Sequence, residues 1–289
     1  MSKQKLKQIK TAGFILKPNT PEIKELYDVI KSQFEAKGIR VLLSKKSGEM
    51  IGEDGLSFDT LCLESDFLVS LGGDGTLLSL VRNSYGYDKP VLGINAGHLG
   101  FLADIKINEV ETFLDSLLIG DYSIDDRMMI EGYIETDRER KNFYALNDVV
   151  ITRPTISKMA CINASIDGEL FNTYSGDGLI IATPTGSTAY SMAAGGPIIY
   201  PLTKAFIMTP ICAHSLTQRP LLVPADFTIE LQSPEATVIA MIDGQDDYEM
   251  NIDDLLVIKG AKKGAKLLHR RESNYFTVLQ EKLSWGERN

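Results

Sequence analysis

Residues 71–78 read Leu-Gly-Gly-Asp-Gly-Thr-Leu-Leu and follow directly on the apolar run Phe67-Leu68-Val69. That order describes a buried strand opening through a glycine-rich turn into a helix, with one carboxylate, Asp74, held in the turn. A continuously apolar strand of this kind belongs to a parallel sheet covered on both faces. Glycines let the backbone approach a phosphate closely, and the amides at a helix start favour negative charge. Together the glycines and the acid point to phosphoryl transfer from a nucleotide. The same residues also describe an ordinary strand-to-helix turn with Asp74 as the helix N-cap. The octapeptide alone leaves both readings open.

The surrounding residues extend the same architecture. Residues 12–16 form a strand pattern, and residues 21–37 an amphipathic helix with Ile23, Leu26, Tyr27, Ile30 and Phe34 on one stripe. Residues 41–43 and 91–94 are further short apolar strands, and 109–118 another helix. Residues 44–57 carry Lys, Gly, Glu and Asp with little periodicity and read as a loop. This βαβ rhythm predicts a Rossmann-like α/β domain over residues 1–123. From residue 124 short strands crowd together, at 128–134, 141–152, 159–166, 170–174, 179–182, 227–231, 236–242 and 255–258. They predict a second, mainly antiparallel all-β domain over 124–270, with one helical interruption at 186–194. Residues 275–283 return to helical spacing, with Phe276, Leu279 and Leu283 on one face.

Composition narrows the partners. The 289 residues are 44% hydrophobic and 24% charged, close to a soluble globular average. A formal charge of -9 argues against nucleic-acid and anionic-membrane partners, which need a concentrated basic surface. No apolar stretch is long enough to span a bilayer, and the first residues, from Met1 to Lys7, lack a signal-peptide core. Cys62, Cys161 and Cys212 are widely separated, odd in number and flanked by apolar residues, which fits reduced core thiols. The expected address is cytoplasmic.

Three more segments carry chemistry. Residues 93–102 hold a second glycine cluster directly after the 91–94 strand. Turns after neighbouring strands of a doubly wound sheet meet at its carboxyl edge, where ligands bind. Phe101 there offers either a face for an adenine ring or ordinary core packing, and His98 alone is an unremarkable packed or capping histidine. Residues 175–190 place glycines, Asp177 and the Thr185-Gly186-Ser187-Thr188-Ala189-Tyr190 run where a strand opens into a helix. Small hydroxyls there suit a base, ribose or phosphate, or simply cap the helix. Asn147-Asp148, ahead of Val149-Val150-Ile151, offers an amide and a carboxylate suited to ribose hydroxyls, or a plain turn. There is no Walker A sequence, no Gly-x-Gly-x-x-Gly, and no Cys/His set with zinc spacing. None of the glycine clusters contains Lys or Arg, so phosphate charge is expected to fall to backbone amides and to a divalent cation, Mg²⁺.

Taken as a set, these segments resemble the NAD kinase family. Gly72-Gly73-Asp74-Gly75-Thr76 is similar to its Gly-Gly-Asp-Gly motif, and Asn147-Asp148 to its Asn-Glu/Asp motif. Residues 176–190 with Gly195-Gly196-Pro197 are similar to its long glycine-rich block. Asn95 to Phe101, the segment from His214 to Pro220, Asp243-Gly244-Gln245 and the ending from Glu281 to Gly286 also follow its order. The resemblance implies transfer of the ATP γ-phosphoryl group to the 2′-hydroxyl of the adenosine ribose of NAD. Asp74 would orient that hydroxyl and accept its proton. Gly72, Gly73, Gly75 and Thr76 would lie against phosphates, Gly75 also along NAD, and Phe101 against adenine. Asn147 and Asp148 would hold ribose hydroxyls, and Thr185, Thr188, Ala189 and Tyr190 would line the pocket. Asp177 would reach an adenine amino group, in the family often of NAD on a neighbouring subunit, and Asp243 and Gln245 would sit near the nicotinamide-side ribose. Mg²⁺ would travel with ATP, with no metal site of the protein's own. The resemblance also implies a homodimer or homotetramer and a C-terminal segment, 271–289, returning to the first domain. Inorganic polyphosphate serves some members as donor.

Three competitors share parts of this pattern. A diacylglycerol-type lipid kinase would need a membrane-seeking surface, and a sugar-phosphate kinase basic residues near its motifs; neither is visible in the sequence. A non-catalytic NAD(P)-binding protein would have no use for an acid at position 74.

Overall fold

A computed structural model describes residues 5–97, 100–155, 159–271 and 274–285. Met1 to Gln4, His98 and Gly286, singled out in the sequence, lie outside these residues. The chain forms two compact units, residues 1–126 with 265–289, and residues 127–264.

The first unit is built on a seven-stranded sheet. Its centre is the parallel set Arg40–Leu43, Thr11–Leu16, Phe67–Gly72 and Val91–Asn95, in that spatial order. Every residue of Phe67–Gly72 is buried, as a strand with both faces covered requires. The helix Lys24–Ala36 lays Tyr27, Ile30 and Phe34 into the core, where Phe34 meets Phe14 edge-on at 5.0 Å between ring centres. Helix Val110–Leu118 buries Val110, Phe113, Leu114 and Leu117 in the same core.

Two features of this unit differ from the sequence reading. Residues 45–51, expected as loop, are the helix Lys45–Ile51. The Ser44 hydroxyl caps it by accepting from the Ser47 amide at 3.3 Å, and Ser47 Oγ accepts the Leu16 amide at 3.0 Å. Its polar composition hides a helix that is seated by buried hydroxyls instead of an apolar stripe. The strand Ala265–Arg270, expected as part of the β domain, pairs in parallel with Val91–Asn95 and completes this sheet. Leu267 and Leu268, each 1% exposed, fill the slot. Long-range pairing of this kind leaves no local signal. The helix Tyr275–Leu283 belongs to the same unit; on its expected apolar face Leu279 is buried while Phe276 is 61% exposed.

The second unit contains two six-stranded antiparallel sheets. One runs Glu169–Gly176, Ala160–Ile166, Ile229–Gln232, Leu255–Gly260, Ile130–Glu135, Arg140–Ala145. The other runs Leu221–Pro224, Ala205–Ile211, Gly178–Ala182, Asp148–Thr152, Val238–Ile242, Asp246–Met250. Alternate residues of both, among them Ile130, Phe143, Ile162, Ile151, Leu179 and Phe206, form one core. The segment 141–152, which reads as one strand, is two: Arg140–Ala145 and Asp148–Thr152 lie in different sheets, and the chain crosses over at Leu146-Asn147. Of the three cysteines only Cys62 is buried; Cys161 is half-buried and Cys212 exposed, so the expectation of three core thiols is corrected. Cys212 ends the Ala205–Ile211 strand in a left-handed turn, φ 46°, which carries its side chain out of the sheet.

Candidate active site

In the first unit the buried strand Phe67–Gly72 leads through Gly73 into the helix Asp74–Ser84. Gly73 stands at the N-cap and Asp74 is the first helical residue, so the reading of Asp74 as N-cap is corrected. Its carboxylate turns instead to the second glycine loop. Oδ2 accepts the Phe101 amide at 2.8 Å, and Oδ1 accepts those of Ala103 at 3.0 Å and Leu102 at 3.2 Å. A carboxylate has about four acceptor positions, so roughly one remains, on Oδ2. Gly100 makes the approach possible, because a Cβ there would overlap the Asp74 carboxylate.

The glycines of the turn divide by what surrounds them. A Cβ at Gly72 would overlap the buried Thr76 hydroxyl. Gly73 and Gly75 face open space at the Cβ position and have no left-handed φ, so no neighbour among the described residues would clash with a side chain there. Glycine in a helix costs up to about 1 kcal/mol against alanine. That cost has a rationale where another molecule must approach the backbone closely. The sequence reading found no cation in the glycine clusters, but the fold brings one near. Lys17, exposed at the end of the Thr11–Leu16 strand, donates its amide to Leu71 at 2.9 Å. Its Cβ lies 3.2 Å from where a Gly72 Cβ would stand. The parallel register of the two strands, invisible in the local sequence, sets this neighbour.

In the second unit three separated motifs meet at one sheet edge. Asp148–Thr152 lies between Gly178–Ala182 and Val238–Ile242, antiparallel to both, so its first residue adjoins the last residues of its neighbours. Asn147-Asp148, the turn after Ala182 and Asp243-Gly244 are thereby brought together. Asp243 fastens the junction. Its Oδ2 accepts the Leu146 amide at 2.8 Å, and its Oδ1 those of Asn147 at 2.8 Å and Asp148 at 2.9 Å. Its backbone is left-handed, φ 51°, and Gly244 follows at φ 61°. The carboxylate expected near a ribose is thus committed to holding the crossover between sheets. Thr183 adds a second staple, donating to Leu146 O at 2.5 Å and accepting the Gly186 amide at 3.1 Å. A Cβ at Gly186 would overlap the Asn147 backbone.

Two polar atoms of this junction, Asn147 Oδ1 and Thr185 Oγ1, are buried with no hydrogen-bond partner. Such atoms are costly unless something supplies the missing bond, and both belong to residues the sequence singled out for a ligand. Thr188 Oγ1 donates to Thr185 O at 3.3 Å, Ala189 caps the short helix Tyr190–Ala193, and Tyr190 is 44% exposed at its start. Gln245 is exposed in the hairpin turn. Asp177 is not with these residues: it precedes Gly178–Ala182 at the far end of that strand, about 16 Å of extended chain away. There it pairs with Arg153 at 2.8 Å.

Asp148 is 5% exposed, and burial, reinforced by the Asp243 charge, pushes its carboxyl up to about 7. A folded-state value above the unfolded one means that native Asp148 binds a proton the unfolded chain releases. Stability from this group is therefore present at low pH and lost as pH rises from about 4 through 7. We expect Asp148→Asn to be the more stable protein at pH 8, by up to roughly 3–4 kcal/mol, with little difference at pH 4. Thermal melts of both proteins across that range test this; parallel curves would refute it.

A glycine turn carrying a carboxylate on a Rossmann-like sheet, joined in one chain to an antiparallel β unit with buried polar atoms lacking partners at one edge, is the frame of a nucleotide-handling protein. The family model for the ATP-NAD kinase N-terminal domain matches residues 12–122, and that for the ATP-NAD kinase C-terminal domain residues 146–270. The chain belongs to the NAD kinase family. It is 51% identical to an NAD kinase of Wolinella succinogenes over 285 residues, 98% of each chain, and 43% identical to one of Campylobacter jejuni over 97% of each. Among solved structures, yeast NADH kinase complexed with NADH is similar with a TM-score of 0.89 at 26% identity, over 97% of this chain and 89% of that one.

Proposed function

We infer that this chain transfers the γ-phosphoryl group of ATP to the 2′-hydroxyl of the adenosine ribose of NAD, giving NADP and ADP. The observation that carries the reading is the Asp74 carboxylate, held by three backbone amides with an acceptor position open, at a helix start between Gly73 and Gly75, whose Cβ positions face open space among the described residues.

Phosphoryl transfer proceeds through a loose transition state, so alignment and electrostatics carry most of the acceleration. The ribose oxygen bonds to the γ-phosphorus as the bond to the bridging β,γ-oxygen breaks, and the hydroxyl proton leaves late, to Asp74 Oδ2. Gly72, Gly73, Gly75 and Thr76 lie along the phosphates, and Gly75 also along NAD. Phe101 packs on adenine. Asn147 and Thr185 supply their unsatisfied oxygens to NAD hydroxyl or amino groups, with Asp148, Thr188 and Ala189 beside them. Asp243 acts by holding Asn147 and Asp148 in place, and Gln245 extends from the same turn. Among the described residues no three His, Cys, Asp or Glu side chains group as metal ligands. Mg²⁺ would enter with ATP and offset phosphate charge. Asp177, at the far end of its strand from Asn147 and Thr185, contacts NAD held by a neighbouring copy in a homodimer or homotetramer. No described helix is long and apolar enough to cross a membrane. The compartment proposed for the reaction is the cytoplasm.

The direct test is NADP formation from NAD with ATP, then with polyphosphate, as donor. No product with either donor would overturn the reading. Tyr190 stands exposed at the start of its helix, where it offers a face to a substrate without positioning any reacting atom. Tyr190→Ala should raise the KM for NAD about tenfold, the loss of roughly 1.4 kcal/mol of contact, with kcat nearly unchanged. A fall in kcat at constant KM would remove Tyr190 from the binding surface.

A further inference from the structure

The loop that holds Asp74 is itself held by a residue from the far end of the chain. Asp104 directly follows Ala103, whose amide Asp74 Oδ1 accepts. Its Oδ2 lies 2.9 Å from Nδ1 of His269, on the strand Ala265–Arg270. An ionised carboxylate only accepts, so Nδ1 carries the proton and donates it. His269 is 5% exposed, and its other nitrogen, Nε2, stands 3.7 Å from Asp125 Oδ2. The imidazole is thus buried between two carboxylates. On the opposite side Asn95 Nδ2 donates to Ala103 O at 3.3 Å. Gly93 completes the seat, since a Cβ there would come within 2.8 Å of Ala103 Cα.

A buried histidine flanked by acids is more than the sheet needs, because an apolar residue would fill that position without desolvating polar groups. We infer that His269 is a positioning residue for phosphoryl transfer: through Asp104 it fixes residues 101–103, so that their amides present the Asp74 carboxylate in one orientation. The inference rests on the role proposed for Asp74. His269 touches no reacting atom; it acts on turnover through the Asp74 carboxylate, and on NAD affinity only to the smaller extent that Phe101 shifts with the loop.

The test compares His269→Ala, His269→Asn and Asp104→Asn in the full chain, by steady-state kinetics and by hydrogen exchange at the amides of Phe101, Leu102 and Ala103. Asparagine at 269 restores an N–H near the position of Nδ1. His269→Ala should lower kcat about 10- to 100-fold, the scale of an ångström-level misplacement, a larger factor than any rise in the KM for NAD. Exchange at 101–103 should accelerate while the amides of Val69 and Leu71 keep their protection. His269→Asn should recover most of both effects. Should His269→Ala fail to fold, Asp104→Asn, which keeps shape and an acceptor, should still show a smaller fall in kcat with faster exchange at 101–103. Unchanged exchange, or faster exchange with normal kcat, would overturn the inference. The proposed role of Asp74 is judged separately, because it fails if Asp74→Asn turns over normally whatever the exchange data show.

Discussion

Asp74→Asn should lose about 10²–10⁴-fold in kcat, the range expected for removing a positioned general base, while NAD still binds within a fewfold of wild type. The geometry explains why even this conservative change is severe. Asparagine has one side-chain oxygen. Placed at the Oδ1 position it keeps the Leu102 and Ala103 amides, but its NH2 then faces the Phe101 amide, which now sits 2.8 Å from Oδ2. The reversed placement loses two amide bonds. Either way a donor meets a donor, at a stability cost of about 1–3 kcal/mol, and the open acceptor position for the ribose hydroxyl is gone or turned. Rapid-quench kinetics separates chemistry from binding and release. A burst rate near wild type would show that Asp74 does not act on the transferred group.

Gly100→Ala should be nearly as damaging although it adds one methyl group outside the motif. That methyl would overlap all three terminal atoms of the Asp74 carboxylate. The carboxylate or the loop must move by about the length of a bond, and misplacement of about 1 Å costs on the order of 10²-fold in rate. We expect kcat to fall by about that factor. Gly86→Ala is the control: unlike Gly100 it has an open Cβ position, its φ is not left-handed, and it lies beyond the other end of the Asp74–Ser84 helix. It should leave activity and melting temperature near wild type. Equal behaviour of the two variants would mean that the close contact between Gly100 and Asp74 does not govern catalysis.

The site was legible where its residues are contiguous. Strand, glycine turn and helix at 67–84 are encoded by neighbours in the chain, so periodicity and glycine placement suffice to read them. Asn147-Asp148 and the 176–190 block were likewise visible as motifs. What each side chain touches was not. Asp74 is satisfied by amides 27–29 positions away, and Asp243 by amides 95–97 positions away. Asp243 reads in the sequence as a ligand contact, yet the fold makes it the clasp that holds Asn147 and Asp148. His269 carries no signal of its own, since a histidine between Leu267-Leu268 and Arg270-Arg271 gives no hint that two aspartates face it.

By itself, the order of residues determined the two structural classes, the glycine turn that carries Asp74 and the resemblance to one family. These depend on short-range patterns: apolar runs for covered strands, glycines where backbone must be approached, alternation for the antiparallel sheets. Tertiary structure alone decided that Ala265–Arg270 joins the first sheet, that the chain crosses between sheets at Leu146-Asn147, and that each key carboxylate is bound by three amides. The physical reason is that a buried acid must be satisfied by donors in space, and strand register, not distance along the chain, determines which donors arrive.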